Sequence, residues 1–383
     1  MTDAILSDRE GTTNGRELHM AMELSNSKWK LGFGDGGVRV REKNIPARDL
    51  DALGEAISRA KKKFKLAEEA RVVSCYEAGR DGFWLHRYLE SVGIESLVVD
   101  SASIEVSRRK RKKKTDRLDV KKLLRMLIRH HGGEKDVWSI VRVPSARDED
   151  ERRLHRERGR LKQESTAHIN RIRSLLVTHG IQLSKLRDLP TRLEEIRLWD
   201  GSPLPGELKG ELEREWERLE QVWRQLSEVE GKQKKRVKEK TTPKMEQVDQ
   251  LMWLKSINVV TAWTLVMEFF GWRSFANRRQ LGSLAGLTGT PFDSGEGDRE
   301  QGISKAGNKR IRTLMIELAW RWLYFQPNSK LTLWYKQRFA HGSKRMRKVG
   351  IVALARKLLV DLWRYLEDGV VPEGAELKSR LVF

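Results

Sequence analysis

The chain has a single cysteine, Cys75, in 383 residues. One thiol excludes an internal disulfide and leaves no thiolate cluster for a structural zinc site. No run of about 18 apolar residues is present, and no secretory apolar segment opens the chain, so a soluble, intracellular protein without membrane partners is expected. Also missing is any helix-turn-helix, zinc-finger or basic-zipper pattern that would set bidentate side chains against base edges. Negative charge is in short supply as well: Asp and Glu number 54 against 76 Lys and Arg, for a net charge of +22 and a pI of about 10.1. That excess points to a polyanionic partner.

The positive charge is dispersed over Arg108 to Lys114, Lys232 to Lys240 and Lys344 to Lys348. Charge of this kind grips phosphates and carries little sequence information. The first run, Arg108, Arg109, Lys110, Arg111, Lys112, Lys113 and Lys114, leads through Thr115 into Asp116 and Asp119. Two aspartates three apart at a helix start project from one face of its first turn. By itself that pair is a solvated helix start. Beside a cationic run, it is the layout of a metal-dependent nuclease, in which acids hold magnesium and cations hold the polymer. His130 and His131, before Gly132 and Gly133, read as a helix end rather than as metal ligands.

Residues 1–16 are polar and read as a flexible arm. Strands are expected over Leu18 to Leu24, Trp29 to Phe33 and Val38 to Ile45, with Gly34 to Gly37 as a hairpin turn. A helix from Ala47 to Ala67, a strand from Arg71 to Glu77, a helix from Asp81 to Val92 and a strand from Ile94 to Val99 follow. A three-strand meander and then helix, strand, helix, strand, helix is the order of an RNase-H-like fold. In that order Glu23 lies on the first strand, Glu77 ends the fourth, and Asp116 and Asp119 open the late helix. Four carboxylates from three elements can then share one pocket. Crowded acids repel and need cations, so magnesium, or manganese in its place, is the inferred cofactor.

Beyond Pro144 the pattern becomes helical and highly charged. Leu212, Trp216, Leu219, Trp223 and Leu226 step by four and three, the seam of a coiled coil, opposite a looser stripe of Leu154, Leu161, Ile172 and Leu175. Such an arm suits a spacer, a dimerisation element or a polynucleotide clamp. From Pro243 an apolar helical region runs to Phe270 with a break near Asn258. A glycine-rich loop holding Ser294 follows, then a helix preceded by Lys305 and carrying Lys309, Arg310 and Arg312. A basic loop of Lys344, Arg345, Arg347 and Lys348 precedes the last helix, Val349 to Leu366. A serine in such a loop is ordinarily a turn residue, while cations at a helix N-terminus suit phosphate binding.

Tyr76-Glu77-Ala-Gly79, Lys114-Thr-Asp116-Arg-Leu-Asp119, Ser294-Gly295, Ile303-Ser-Lys-Ala-Gly-Asn308 with Arg312, and Val352-Ala-Leu-Ala-Arg-Lys357 together resemble the insertion sequence 110 family of transposases, in order over residues 18–369. The resemblance implies a RuvC-like DEDD domain over 17–143, a coiled-coil arm over 144–242 and a mainly α-helical transposase domain over 243–383. It implies Glu23, Glu77, Asp116 and Asp119 as catalytic metal-binding acids and Ser294 as nucleophile. It further implies donor and target DNA as partners, a structured guide RNA encoded by the element, a homodimer or dimer of dimers, and a cytoplasmic, nucleoid-associated prokaryotic protein. The chain departs from the family in having Glu23 where the first acid is usually Asp, and Lys255 to Val260 where a glycine-bearing hairpin is common.

A site-specific recombinase is the leading reading. A RuvC-like nuclease or junction resolvase that activates water, leaving Ser294 idle, is the alternative enzyme; a nucleic-acid-binding scaffold without cleavage is the alternative from another class. Uniting Ser294 with the acids requires the outer domains to meet, within one chain or between subunits.

Overall fold

A computed structural model of the chain describes residues 16–104, 116–183, 186, 189–294, 297–303 and 307–379. Arg108 to Lys114, Lys305 and nearly all of the N-terminal arm lie outside the described residues. The chain divides into two compact units, Met1–Pro144 and Ser145–Phe383.

The first unit contains β1 (Leu18–Leu24), β2 (Lys28–Gly34), β3 (Arg41–Pro46), α1 (Leu50–Phe64), β4 (Val72–Glu77), α2 (Trp84–Ser91), β5 (Glu95–Val99) and α3 (Asp116–His131). The expected order of strands and helices is present, with helix ends trimmed by a few residues. The hairpin between β2 and β3 is longer than a four-residue turn, because Val38 is fully exposed and β3 starts only at Arg41. The five strands form one sheet in the order β3-β2-β1-β4-β5. The β1–β2 and β2–β3 pairs are antiparallel, and β4 lies parallel to both β1 and β5.

Both faces of the sheet are covered at β1, β2 and β4, which are largely buried, while the edge strand β3 is polar and mostly exposed. Leu18, Met20, Met22 and Tyr76 pack with α1 and α2 through Leu53, Ile57, Leu85 and Leu89. Ala21, Val73 and Cys75 pack on the other face against Val120, Leu123, Leu124 and Leu127 of α3. The alternation of strand side chains divides the two sets. Burial pushes the Cys75 thiol far up, so it is an inert core residue.

The second unit contains α4 (Ala146–Glu151), α5 (Arg153–Val177), α6 (Leu189–Leu193), α7 (Gly206–Glu239), α8 (Pro243–Met252), α9 (Val259–Glu268), α10 (Arg278–Leu284), β6 (Gly289–Ser294), β7 (Gly297–Ile303), α11 (Lys309–Phe325), α12 (Lys330–Phe339) and α13 (Lys344–Asp368). Helix α4 and helices α8 to α13 begin where short polar side chains cap them, whereas α5 and α7 begin without a side-chain cap. Ser145, Thr242, Asn258, Asn277, Asn308, Ser329 and Ser343 each accept a first-turn amide. Contacts of Arg158 with Glu230, Ser165 with Trp223 and His168 with Glu215 run in opposite sequence directions, so α5 and α7 are antiparallel. The expected seam is corrected at one position. Trp223 is 37% exposed with its indole N–H donating to Ser165, and Val222 is the buried residue instead. The helix keeps its seven-residue repeat through Leu212, Leu219, Leu226 and Gln233, but the second seam position falls three residues after each leucine, at Glu215, Val222 and Val229.

Two further corrections fall in this unit. Gly289 to Ser294 is not a loop but a strand paired in register with Gly297 to Ile303. Its proline is compatible with pairing because a two-stranded ribbon has free edges. Lys344 to Lys348 is not a loop either; it forms the opening turns of α13, where Ser343 caps the Met346 amide.

Candidate functional site

The parallel pairing of β1 and β4 sets the acids. Its last described pair is Met22 with Tyr76, so Glu23 and Glu77 come next on adjacent strands. Strand alternation places both on the face that carries Ala21 and Cys75, the side covered by α3. Glu23 is half-buried and Glu77 exposed. Glu23 also faces Lys30 across β2, and Lys30 lies 3.5 Å from Glu42.

Helix α3 runs antiparallel to β1. A Cβ built on Gly32, the partner of Ala21, would lie 3.5 Å from Val120; one on Gly34, the partner of His19, would lie 3.4 Å from Leu124 and 3.6 Å from Ile128. Val120 is therefore nearer the Glu23 end and Ile128 nearer the start of the strand. The first turn of α3, with the backbone of Asp116 and Asp119, lies toward Glu23 and Glu77.

Ser294 is the last residue of β6 and pairs with Gly297. Downstream, Gly307 has φ +89°, and a Cβ there would lie 2.4 Å from the Leu284 carbonyl. Only glycine fits this close approach, and the next amide, of Asn308, donates to that carbonyl at 2.8 Å. The Asn308 side chain then accepts from the amides of Arg310 and Ile311. Those donors are occupied, so any grip on phosphate at this helix start comes from side chains. Lys309 and Arg310 are exposed and Arg312 is half-buried.

A cationic hollow in the same unit escaped sequence reading. A cavity of about 650 Å³ is lined by Arg278, Arg279, Thr288, Lys330, Arg356, Lys357 and Arg364, with Asp361 and Glu373 as its acids. Thr288 directly precedes β6, so the hollow opens at the base of the Ser294 hairpin. Burial raises the Asp361 carboxyl against the pull of Arg364 and Lys357. Lys357 also lies over the Trp334 ring at 4.9 Å. Elsewhere on the unit, Lys344, Arg345, Arg347 and Lys348 are all exposed on α13. Cations in the first turns of a helix oppose its dipole, a cost that polyanion binding would offset.

Glu268 also went unrecognised. It is 1% exposed and accepts from His155 at 2.8 Å and from Arg156 at 2.7 and 2.9 Å, with Arg310 at 3.8 Å. Burial opposes its charge, but the His155 and Arg156 contacts hold the carboxyl far below its ordinary range. Burial dominates at His155 and lowers its pKa, so His155 is a neutral donor and Arg156 the ion-pair partner. In the first unit, His131 closes α3 as expected but is more than a helix end. Glu17, His19 and His131 each bring a ligand atom within 4.8 Å of the others and could hold a metal ion. Glu17 and His19, two apart at the start of β1, are the signal the sequence offers.

Among the described residues, no helix is long and apolar enough to cross a membrane. Residues 248–333, from α8 through the Ser294 hairpin to the start of α12, match the family described as Transposase IS116/IS110/IS902. The "Putative transposase y4rJ" of Sinorhizobium fredii is 42% identical over 378 residues, covering 94% of this chain and 95% of that protein. The "Transposase for insertion sequence element IS1111A" of Coxiella burnetii is 28% identical over 229 residues, 59% of this chain and 61% of that protein. The "Transposase for insertion sequence element IS1328" of Yersinia enterocolitica is 26% identical over 226 residues, 57% and 63% of the two chains. The chain thus belongs to the IS116/IS110/IS902 family of transposases, enzymes of DNA transposition.

Proposed function

We propose that this transposase is a site-specific DNA recombinase whose acid centre is Glu23, Glu77, Asp116 and Asp119 in an RNase-H-like, RuvC-like domain over residues 17–143. The observation that carries the reading is the β1–β4 register, which sets Glu23 beside Glu77 on the face covered by α3. The strand order β3-β2-β1-β4-β5 supports the same fold. An all-carboxylate donor set fits magnesium or manganese, which when bound would stabilise charge developing on the phosphoryl and leaving oxygens. Glu23 reaches one methylene further than an aspartate, so Glu23→Asp retains or improves activity.

In this reading Ser294, in a transposase domain over 243–383, is the nucleophile: its Oγ bonds to a DNA phosphorus as the P–O bond to one flanking deoxyribose breaks, and the serine proton is passed to the sugar oxygen, which leaves as a hydroxyl. The cations of the hollow, of α11 and of α13 hold DNA and RNA backbones. The antiparallel helices α5 and α7, in an arm over 144–242, serve self-association as a homodimer or dimer of dimers. Target choice falls to a structured, element-encoded RNA, because dispersed charge supplies affinity without base readout.

Glu77→Gln and Asp119→Asn should each abolish strand cleavage while nucleic-acid binding persists, since the cations that dominate affinity are untouched. Undiminished cleavage in EDTA would remove the metal from the mechanism. For the guide, rewriting the RNA's pairing segment should move the insertion site; full site-specific recombination by RNA-free protein would overturn that part.

A further inference from the structure

Glu17 immediately precedes β1, and the α3 face of the strand then carries His19, Ala21 and Glu23 in turn, because strand side chains alternate. Glu23 stands at the acid end. Glu17 and His19 stand at the other, where α3 finishes at His131. Asp116 and His131 are fifteen residues apart on one helix, roughly 22 Å at ~1.5 Å per residue, so the two ends of α3 are chemically separate places.

At the His131 end, His19 is 6% exposed and neither of its ring nitrogens makes a well-formed hydrogen bond, the Gly34 backbone acting on the ring only weakly. A buried polar group left unmatched is costly and calls for an explanation. Burial, followed by the neighbouring His131, lowers the His19 pKa. Its ring meets that of His131 edge-on, with centroids 5.2 Å apart. His131 Nε2 in turn lies 2.6 Å from Glu17 Oε2. The other Glu17 oxygen accepts from Arg71 at 3.2 Å, and Arg71 also pairs with Glu95. Arg71 thereby fixes one carboxylate oxygen and leaves the other facing the imidazoles, as supporting residues around metal sites do.

We propose that Glu17, His19 and His131 form a binding site for a zinc-class transition-metal ion that fastens the C-terminal end of α3 to β1. Two imidazoles and one carboxylate are donors for Zn²⁺, Co²⁺ or Ni²⁺, whereas Mg²⁺ prefers oxygen alone. With the α3 end fixed, the helix that carries Asp116 and Asp119 is held in register over the sheet.

The test is a Co²⁺ titration of untagged, nuclease-treated full-length protein, read by visible absorption, in excess Mg²⁺. One equivalent per chain should give an absorption band that Zn²⁺ displaces and Mg²⁺ does not. His131→Ala, a partly exposed position whose loss leaves the core intact, should remove the band. Arg71→Gln should weaken binding by roughly 10–100-fold, and Asp119→Asn should leave the band unchanged, which separates this site from the acid centre. Zn²⁺ should raise the melting temperature of the wild type and not of His131→Ala. Absence of a stoichiometric band in the wild type, a band that survives in His131→Ala, or one lost in Asp119→Asn overturns the proposal.

Discussion

Glu268 fastens α5, through His155 and Arg156, to α9 in the core of the second unit, and replacing it by glutamine keeps the volume while removing the charge. His155 is buried, and its bond to a charged acceptor is worth about 1.5–3 kcal/mol. The two Arg156 bonds are discounted because that side chain is 48% exposed; screened by water, they add about 1 kcal/mol. Glutamine also turns an N–H toward donors it cannot accept from. Glu268→Gln should therefore destabilise the unit by about 3 kcal/mol, a fall of roughly 6–12 °C in melting temperature for a unit of this size. Circular dichroism melts at pH 7 to 8 read this directly. The Glu268 carboxyl is depressed in the folded protein, so its contribution is fully present above the unfolded carboxylate value of about 4.5. That contribution is lost only as pH falls through the lower folded value. A variant melting within 2 °C or so of wild type at pH 7 would refute the claim that this buried carboxylate organises the unit.

Gly307→Ala should destabilise by about 3 kcal/mol or more, since it adds left-handed strain to a Cβ lying 2.4 Å from a carbonyl oxygen; urea unfolding measures it, and a neutral result would mean the backbone there is free to shift. Replacing Lys344 and Arg345 by glutamine should lower the slope of log affinity against log salt by roughly two on duplex DNA, with melting temperature unchanged or raised because the α13 dipole is relieved. An unchanged slope would take the start of α13 out of the nucleic-acid interface.

Where periodicity and local chemistry decide structure, the fold could be read from the chain. Strands such as β4 and β5 show as apolar runs because they are buried, whereas the edge strand β3 is polar. The capped helices of the second unit follow short polar residues such as Asn258 and Asn308. Glycine and lysine misled at the Ser294 hairpin and at Lys344, since composition says loop while cross-strand pairing and the Ser343 cap say otherwise. Steps of four and three place Trp223 in the seam, whereas the buried residue between Leu219 and Leu226 is Val222. Of the site, Glu23 and Glu77 could be placed because each interrupts an apolar strand. The cationic hollow, the Glu268 network and the Glu17, His19 and His131 group could not, because each unites residues far apart in sequence. No local pattern encodes a meeting such as His155 with Glu268.

The most direct measurement of the recombinase mechanism is whether a covalent protein–DNA adduct forms through Ser294. Wild-type protein incubated with donor, target and RNA should yield an adduct that survives denaturation and maps by peptide mass to Ser294. Ser294→Ala should yield neither adduct nor recombinant product, while Ser304→Ala should keep both. Recombination of a supercoiled donor with its target by Ser294→Ala would contradict the account and leave water activated at the acid centre as the attacking group.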